Sequence, residues 1–334
     1  MNQIEKVQNC ASDNLRLSEL HEKKLIEVKA LFQEAKDYFD NADADNTKRS
    51  YRSDWIHFSN WCEVNNLVSL PVKPETLILY LTELARNYKA STIKRRLSAI
   101  ARVHKESGFE SSLVYNQKVR RTLKGIHNKI GSNQEGKKPL LAEDIKAMVK
   151  DLNDTLKDSR DRAILLIGFA GTFRRSELSG LNVEDLNFVT DGVIITLRKS
   201  KTDQEGQGIK KGILCGENPK TCPVLALKNW LEISGLESGA VFRSFDIHGN
   251  LNENRLSDRG VALIVKRYAK KIGKDEKDFA GHSLRSGSVT QGAINGVNDR
   301  ALMNQGGWRS RSMVDRYVKD ANIFRNNLSG ALGL

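Results

Sequence analysis

The sequence lacks several features that mark large classes of protein. Its 334 residues contain no apolar stretch near the roughly twenty residues that a membrane-spanning helix needs, since the best run, Ala163 to Ala170, is far shorter. The N-terminus has no apolar signal core, which predicts a cytoplasmic protein. The four cysteines are scattered and lack Cys-x-x-Cys spacing, which argues against a disulfide framework and against a zinc site.

Acidic clusters, repeats and low-complexity tracts are also missing. No group of Asp and Glu has the spacing of a two-metal catalytic site, so we expect neither a metal nor another cofactor. Hydrophobic residues make up 39% of the chain and charged residues 28%, which predicts a globular protein. The length predicts two domains.

What the chain does have is an uneven excess of positive charge. The formal net charge is +13, and residues 46–138 alone carry 18 Lys and Arg against 7 Asp and Glu, whereas residues 1–45 carry 6 against 10. A dense basic block predicts binding to a polyanion such as DNA. A basic surface that binds only solvent is the alternative interpretation.

The apolar periodicity predicts a mainly α protein with a small β-hairpin (α+β), divided in two domains. We predict a helical leader over 1–45, a helical DNA-binding domain over 46–130, a polar linker over 131–138 and a larger domain over 139–325, with an apolar segment, 326–334, able to dock on a neighbouring protomer. Within the larger domain, Val193 to Leu197 is predicted to pair with Ile209 to Leu214 across a long polar turn.

Two helices of the smaller domain are strongly basic. We predict that Thr47 caps one helix of this domain and that Ser91 or Thr92 caps a second. Pro74 suits the first turn of a third helix. The basic side chains predicted to contact DNA are Lys94, Arg95, Arg96, Arg102, Lys118, Arg120, Arg121 and Lys124.

The larger domain carries residues suited to phosphate chemistry. His282 and Arg285 are three residues apart and would project from one helix face. Arg174 and Glu177 have the same spacing after a buried helix, and a charged group there needs a partner or a ligand.

Cleaving a phosphodiester without a metal requires donors for the non-bridging oxygens, a proton for the leaving oxygen and an activated nucleophile. Arginines supply rigid bidentate donors, a lysine can supply the proton, and a tyrosine can attack. Tyr317 and the indole N–H of Trp308 complete this set, with Lys201 as the lysine. Lys199, Lys210 and Lys211 are rivals for the lysine's role.

The order and spacing of these residues resemble the tyrosine recombinase (phage integrase) superfamily over about residues 46–325. The segment 171–178 resembles its first arginine box, and His282-x-x-Arg285 its second. Most members carry a histidine nine residues before the tyrosine, where this chain has Trp308. That departure resembles the Cre-like minority, as do Trp55 and Trp61, and places the chain nearer Cre than the Xer-type enzymes.

The resemblance implies a two-domain clamp on duplex DNA with Arg174, Glu177, Lys201, His282, Arg285, Trp308 and Tyr317 as catalytic residues. It implies attack by Tyr317, a 3′-phosphotyrosine intermediate, and strand exchange through a Holliday junction by four protomers on two inverted-repeat sites, without metal or ATP. It also implies a nucleoid-associated protein of bacterial, phage or mobile-element origin. A type IB topoisomerase, a telomere resolvase and a non-catalytic DNA-binding regulator remain alternatives.

Overall fold

The computed structural model of the chain describes residues 24–38, 41, 43–109, 116–131, 136–198, 208–321 and 332. The chain divides into two compact units, Met1–Gln134 and Glu135–Leu334, and the division falls within the predicted linker. Lys201, the first 23 residues and all of the 326–334 segment except Leu332 lie outside the described residues, so the predictions made for them stay predictions.

The described part of the first unit is helical. Its helices are α1 (24–38), α2 (Asp45–Val64), α3 (Pro74–Asn87), α4 (Ala90–Glu106) and α5 (Gln117–Ile130). Side chains at helical spacing on α2 to α5, such as Phe58, Leu81, Ile100 and Val119, meet in one core. The side chains of α1 are exposed along its length, including the 76% exposed Phe32.

The helix starts in this unit differ in detail from those predicted. Pro74 is the first residue of α3, as predicted. The other two cap predictions are wrong, because α2 follows Ala44 and α4 follows Lys89, and neither residue makes a side-chain cap bond. Lys89 already has the extended backbone that the residue before a helix adopts (φ −68°, ψ 150°), so Ser91 and Thr92 fall inside the first turn.

The second unit is an α+β domain. Its helices are α6 (Ala142–Lys150), α7 (Leu156–Ala170), α8 (Arg175–Gly180), α9 (Pro223–Ser234), α10 (Asp258–Lys271), α11 (Gly281–Ile294), α12 (Asp299–Gly306) and α13 (Ser312–Ala321). Its strands are β1 (Leu186–Val189), β2 (Gly192–Leu197), β3 (Ile209–Leu214), β4 (Arg243–Phe245) and β5 (Leu251–Arg255).

The strands form two antiparallel sheets of different size. The order β1-β2-β3 makes the larger one, and the predicted pairing of β2 with β3 is confirmed, with Val193 opposite Ile213 and Leu197 opposite Ile209. The hairpin β4–β5, with Arg243 opposite Arg255, was not predicted.

Helix α7 runs through the main core of this unit. Residues 163–167 are each at most 5% exposed, which explains why this stretch is apolar on every face. A second, smaller cluster lies where α11, α12 and α13 meet, and it contains Val289, Ala293, Leu302, Trp308 and Val314. No helix in the described ranges is both long and apolar enough to span a bilayer.

Candidate active site

The C-terminal end of α7 is the backbone support of the site. The last carbonyls of a helix have no partner within the helix, and their partial negative charge favours cations. Three consecutive carbonyls here accept side-chain hydrogen bonds from three other elements: Ala170 from Gln305 (3.2 Å), Gly171 from Lys211 (2.9 Å) and Thr172 from Arg285 (2.7 Å). Helix α12, strand β3 and helix α11 are thereby joined at one point.

Thr172 has an unusual backbone conformation for a β-branched residue. Its φ of 53° lies in the left-handed region, which such residues rarely adopt. Its hydroxyl lies 3.0 Å from that of Ser288 on α11, and its carbonyl faces Arg285. The turn therefore stores strain at the point where it orients a guanidinium, as functional sites often do.

Glu177 fixes Arg174 at the start of α8. The backbone N–H of Arg174 donates to one carboxylate oxygen of Glu177 at 2.9 Å, and the guanidinium forms an ion pair with the other. The Glu177 side chain is 3% exposed, so its charge requires this partner. The Arg174 side chain is 18% exposed, so it is less enclosed than its partner carboxylate.

Arg285 is held from two sides. It is 1% exposed, and besides its bond to Thr172 it donates to the carbonyl of Gly306 at 2.6 Å. Its guanidinium carbon lies 4.1 Å from the centroid of the Trp308 ring, a cation–π contact. Each terminal nitrogen carries two N–H groups, so each is able to donate one bond to an anion besides its described bond to a carbonyl.

Gly306 is required by the close approach of Trp308. A Cβ built on Gly306 would lie 1.8 Å from the indole ring, a distance that no side chain can occupy. The absence of a side chain therefore lets the ring lie beside the carbonyl that holds Arg285.

The tyrosine lies next to the histidine. The Tyr317 hydroxyl on α13 is 3.1 Å from Nε2 of His282 on α11, and the Tyr317 ring centroid is 6.0 Å from that of Trp308. Desolvation by the surrounding chain lowers the pKa of His282, and the positive charges of Arg285 and Arg174 lower it further. At neutral pH the imidazole is therefore neutral and can accept a proton.

Burial also lowers the pKa of Arg285, to about 10, assisted by the charge of Arg174 and opposed by Glu177 and Tyr317. Arg285 thus stays protonated at neutral pH. The charges around Arg285 of α11 thus come from Arg174, the residue before α8, from Glu177 of α8 and from Tyr317 of α13.

Six of the seven predicted site residues come together in this unit. They are Arg174, Glu177, His282, Arg285, Trp308 and Tyr317, while Lys201 lies outside the described residues. The sequence interpretation gave Lys211 no role except as a rival of Lys201. The position of Lys211 in the strand could have predicted its burial, because strand alternation places it on the same face as Ile209 and Ile213.

The predicted DNA-contacting side chains of the first unit differ in accessibility. Those exposed are Lys94, Arg95, Lys118, Arg120, Arg121 and Lys124. Arg102 is half-buried and pairs with Asp43 and Glu106. Arg96 is 7% exposed, and its guanidinium contacts His57 and stacks 4.1 Å from the Tyr88 ring. Its burial contradicts the prediction that Arg96 contacts DNA.

Comparisons with known proteins agree with this geometry. Residues 138–322 match the phage integrase family, and residues 36–107 match the phage integrase N-terminal SAM-like domain. The chain is 40% identical over 297 residues to an integrase/recombinase xerD homolog of Selenomonas ruminantium, covering 88% of this chain and 87% of the relative. It is 24% identical over 283 residues to the recombinase Cre of Escherichia phage P1, covering 78% and 80%.

Overall identity is thus higher to a xerD homolog than to Cre, contrary to the relationship expected from Trp308. A λ integrase dimer bound to a core site shares the fold with a TM-score of 0.57 at 17% identity, covering 87% of this chain and 94% of that one. XerH recombinase in a post-cleavage complex with its difH substrate gives 0.59 at 14% identity, covering 78% and 72%. The chain belongs to the phage integrase family of tyrosine recombinases.

Proposed function

We propose that this chain is a site-specific DNA recombinase in which Tyr317 attacks the scissile phosphate of duplex DNA. The observation that supports this most directly is the 3.1 Å contact between the Tyr317 hydroxyl and Nε2 of His282, beside the buried Arg285. A free tyrosine hydroxyl, with a pKa of about 10, is a weak nucleophile at neutral pH and needs a base or positive neighbours.

The two arginines hold the phosphate. Arg285 is fixed by two carbonyls and an indole face, and Arg174 by the buried Glu177. Donors that are already oriented need no reorganisation as negative charge develops on the non-bridging oxygens, so they stabilise the transition state more than the ground state. Trp308 contributes to this arrangement by covering one face of the Arg285 guanidinium.

The proposed step balances without another reactant. The Tyr317 oxygen forms a bond to phosphorus, and its proton passes to Nε2 of His282. The bond from phosphorus to the 5′-oxygen breaks, and that oxygen takes a proton from Lys201, the lysine that the family resemblance implies. The product is a 3′-phosphotyrosine and a free 5′-hydroxyl, and attack by a second 5′-hydroxyl reverses the step without ATP.

We further propose that four copies act on two inverted-repeat sites and exchange strands through a Holliday junction. Two similar proteins support this, because the solved structures include a λ integrase tetramer bound to a Holliday junction (TM-score 0.56) and XerH bound to a palindromic difH substrate. The exposed basic residues of α4 and α5 would contact the DNA backbone, which carries most of the electrostatic affinity.

The experiment is covalent trapping on DNA fragments of the source genome that carry nicks. Wild type, Tyr317→Phe and Tyr38→Phe are incubated with the fragments and denatured, and the ends linked to protein are sequenced. Tyr38 is a matched control because it is a 75% exposed tyrosine of α1, in the other unit.

We expect wild type and Tyr38→Phe to form 3′-linked adducts at one inverted-repeat site, and Tyr317→Phe to bind DNA without adducts. Adducts of Tyr317→Phe at the wild-type level would exclude Tyr317 as the nucleophile. Tight DNA binding with no adduct from the wild type would support a non-catalytic regulator instead.

A further inference from the structure

Strand β3 carries two adjacent lysines with opposite environments. Lys210 is exposed, whereas Lys211 is 3% exposed and has the buried Ile213 two residues further along the same face. Buried lysines are rare unless they are paired, because desolvation of the ammonium is costly. The burial of Lys211 therefore calls for a specific role.

Lys211 reaches the turn that supports the active site. Its Nζ donates to the carbonyl of Gly171 at 2.9 Å and lies 4.8 Å from the centroid of the Phe173 ring. The next carbonyl along the chain, that of Thr172, accepts from Arg285, and the residue after Phe173 is Arg174. One ammonium thus contacts the short turn from which both catalytic arginines are oriented.

The charges around Lys211 come from two helices. Glu177 of α8 attracts the ammonium, while Arg174 at the start of α8 and Arg285 of α11 repel it. Two further described residues beside it are uncharged, since Ile195 is the paired residue on β2 and Gln305 of α12 is a neutral amide that donates to the carbonyl of Gly212. Burial is the largest influence and lowers the pKa of Lys211 to about 7, with the arginines acting in the same direction.

We propose that Lys211 is a positioning residue for strand transfer, whose ammonium holds the 171–174 turn and adds positive charge beneath the bound phosphate. The proposal rests on the proposed function, because it concerns the rate of the same cleavage step. Lys211 acts through the backbone and the two arginines, and Lys201 keeps the role of proton donor to the leaving oxygen.

The test compares single-turnover adduct formation by Lys211→Met, Lys211→Gln and Lys210→Met with wild type. Lys211→Met removes the hydrogen bond and the charge, Lys211→Gln retains a neutral donor, and Lys210→Met is the matched control on the exposed face. We expect Lys211→Met to lower the rate about 100-fold, a loss that misplacing catalytic groups by about 1 Å can cause. Lys210→Met removes an exposed lysine of the same strand, and its rate at saturating DNA should stay well above that of Lys211→Met.

A pH series separates positioning by the charged lysine from a merely structural role. The charged form of Lys211 is present below its lowered pKa of about 7 and is lost above it. The ratio of wild-type to Lys211→Gln rates should therefore be largest below pH 7 and fall towards one as pH rises. Ionisations that the substitution leaves unchanged cancel in this ratio because both proteins share them.

Each outcome distinguishes the two proposals. If wild type forms adducts and Lys211→Met matches its rate, or if the wild-type to Lys211→Gln ratio does not change with pH, the inference is overturned while the proposed function stands. If wild type forms no adducts, the proposed function fails first. Should Lys211→Met not fold, as judged by circular dichroism, the pH series with Lys211→Gln decides alone.

Discussion

At the scale of single residues, the site places a neutral imidazole among permanent positive charges. His282 lies close enough to Arg174 and Arg285 for both to lower its pKa, and desolvation lowers it first. The same arginines that would bind a phosphate therefore keep the histidine able to accept a proton. The proposed phosphate binding and the proposed base role of His282 would be coupled through these charges, because a bound anion would cancel part of their effect on the pKa of His282.

The direction of this pKa shift predicts how the protonation of His282 depends on pH. A histidine with a lowered pKa becomes protonated only at more acidic pH, so the pKa of His282 should lie below the ordinary value of 6.5. Arg174→Gln removes one positive neighbour and should raise it. Imidazole titration by NMR in the free protein, with His282→Gln to assign the signal, measures both values. A pKa above 6.5 in the wild type would contradict the electrostatic argument.

A second prediction at this scale concerns Gly306. Alanine there would force the Trp308 ring away, since the Cβ would lie 1.8 Å from it, and the stacking on Arg285 would be lost. We expect Gly306→Ala to slow adduct formation about 100-fold through misplacement of the guanidinium, with unchanged DNA affinity. Gly180→Ala is the control, because open space surrounds that position. Equal rates for the two variants would show that the ring's position is unimportant.

At the scale of elements, α13 is attached to the domain by its own small cluster. Val314 is fully buried beside Val289, Leu302 and Trp308, in a cluster separate from the core around α7. Arg311, at the start of α13, also pairs with Asp299 of α12 at 2.7 Å. We therefore predict that the helix that carries the tyrosine opens locally while the rest of the domain remains folded.

This separation predicts a local effect of Val314→Ala. Loss of two buried methyl groups should cost about 1.5 kcal/mol, which corresponds to roughly a tenfold loss of hydrogen-exchange protection. The loss should appear in α13 amides and be absent from α7 amides, as measured by exchange and mass spectrometry. Met313→Ala is the control because Met313 is 52% exposed. Equal loss in α7 would mean that α13 unfolds only with the whole domain.

The elements that were predicted from the sequence are those in which apolar residues recur at a strong helical or strand period. Helices α2 to α5 and the pair β2–β3 have apolar residues at regular spacing, and the structure confirms them. The hairpin β4–β5 was missed because its strands are short and rich in polar residues, such as Asn252 and Glu253 of β5. It pairs because of the long-range contacts of its ends, for example from Arg255 to the carbonyl of Leu181 at 2.8 Å.

The same reasoning explains what was predictable in the site. Spacing indicated that His282 and Arg285 would share a helix face, whereas the meeting of Arg174, Arg285 and Tyr317 was implied by the family resemblance. The backbone carbonyls of Gly171, Thr172 and Gly306 could not be inferred, since every residue has a carbonyl and only folding decides which ones face a cation. The burial of Lys211 was not predicted for a related reason, because a lysine in a strand is usually exposed.

At the scale of the whole molecule, positive charge has two different uses. The exposed basic residues of α5 surround a helix whose buried side chains are Val119 and Ile126, so their charges face solvent. Arg96 of α4 instead lies 3.6 Å from the carboxylate of Asp54, which is 3% exposed and also pairs with Arg95 at 2.5 Å. Net charge alone therefore overstates the surface available to DNA.

The last prediction separates these two uses by their salt dependence. Each phosphate contact contributes about 0.9 to the slope of log affinity against log salt concentration. Replacing Arg121 and Lys124 of α5 with Gln should make the slope shallower by up to about 1.8, and should leave the rate of cleavage of fully bound DNA unchanged.

Arg96→Gln should leave the slope unchanged but destabilise the first unit by about 1–3 kcal/mol, because Asp54 loses a buried partner. Binding isotherms across a salt series, with urea unfolding of each variant, measure both effects. An unchanged slope in the double variant would place the DNA on another face, and a shallower slope in Arg96→Gln would return that residue to the interface.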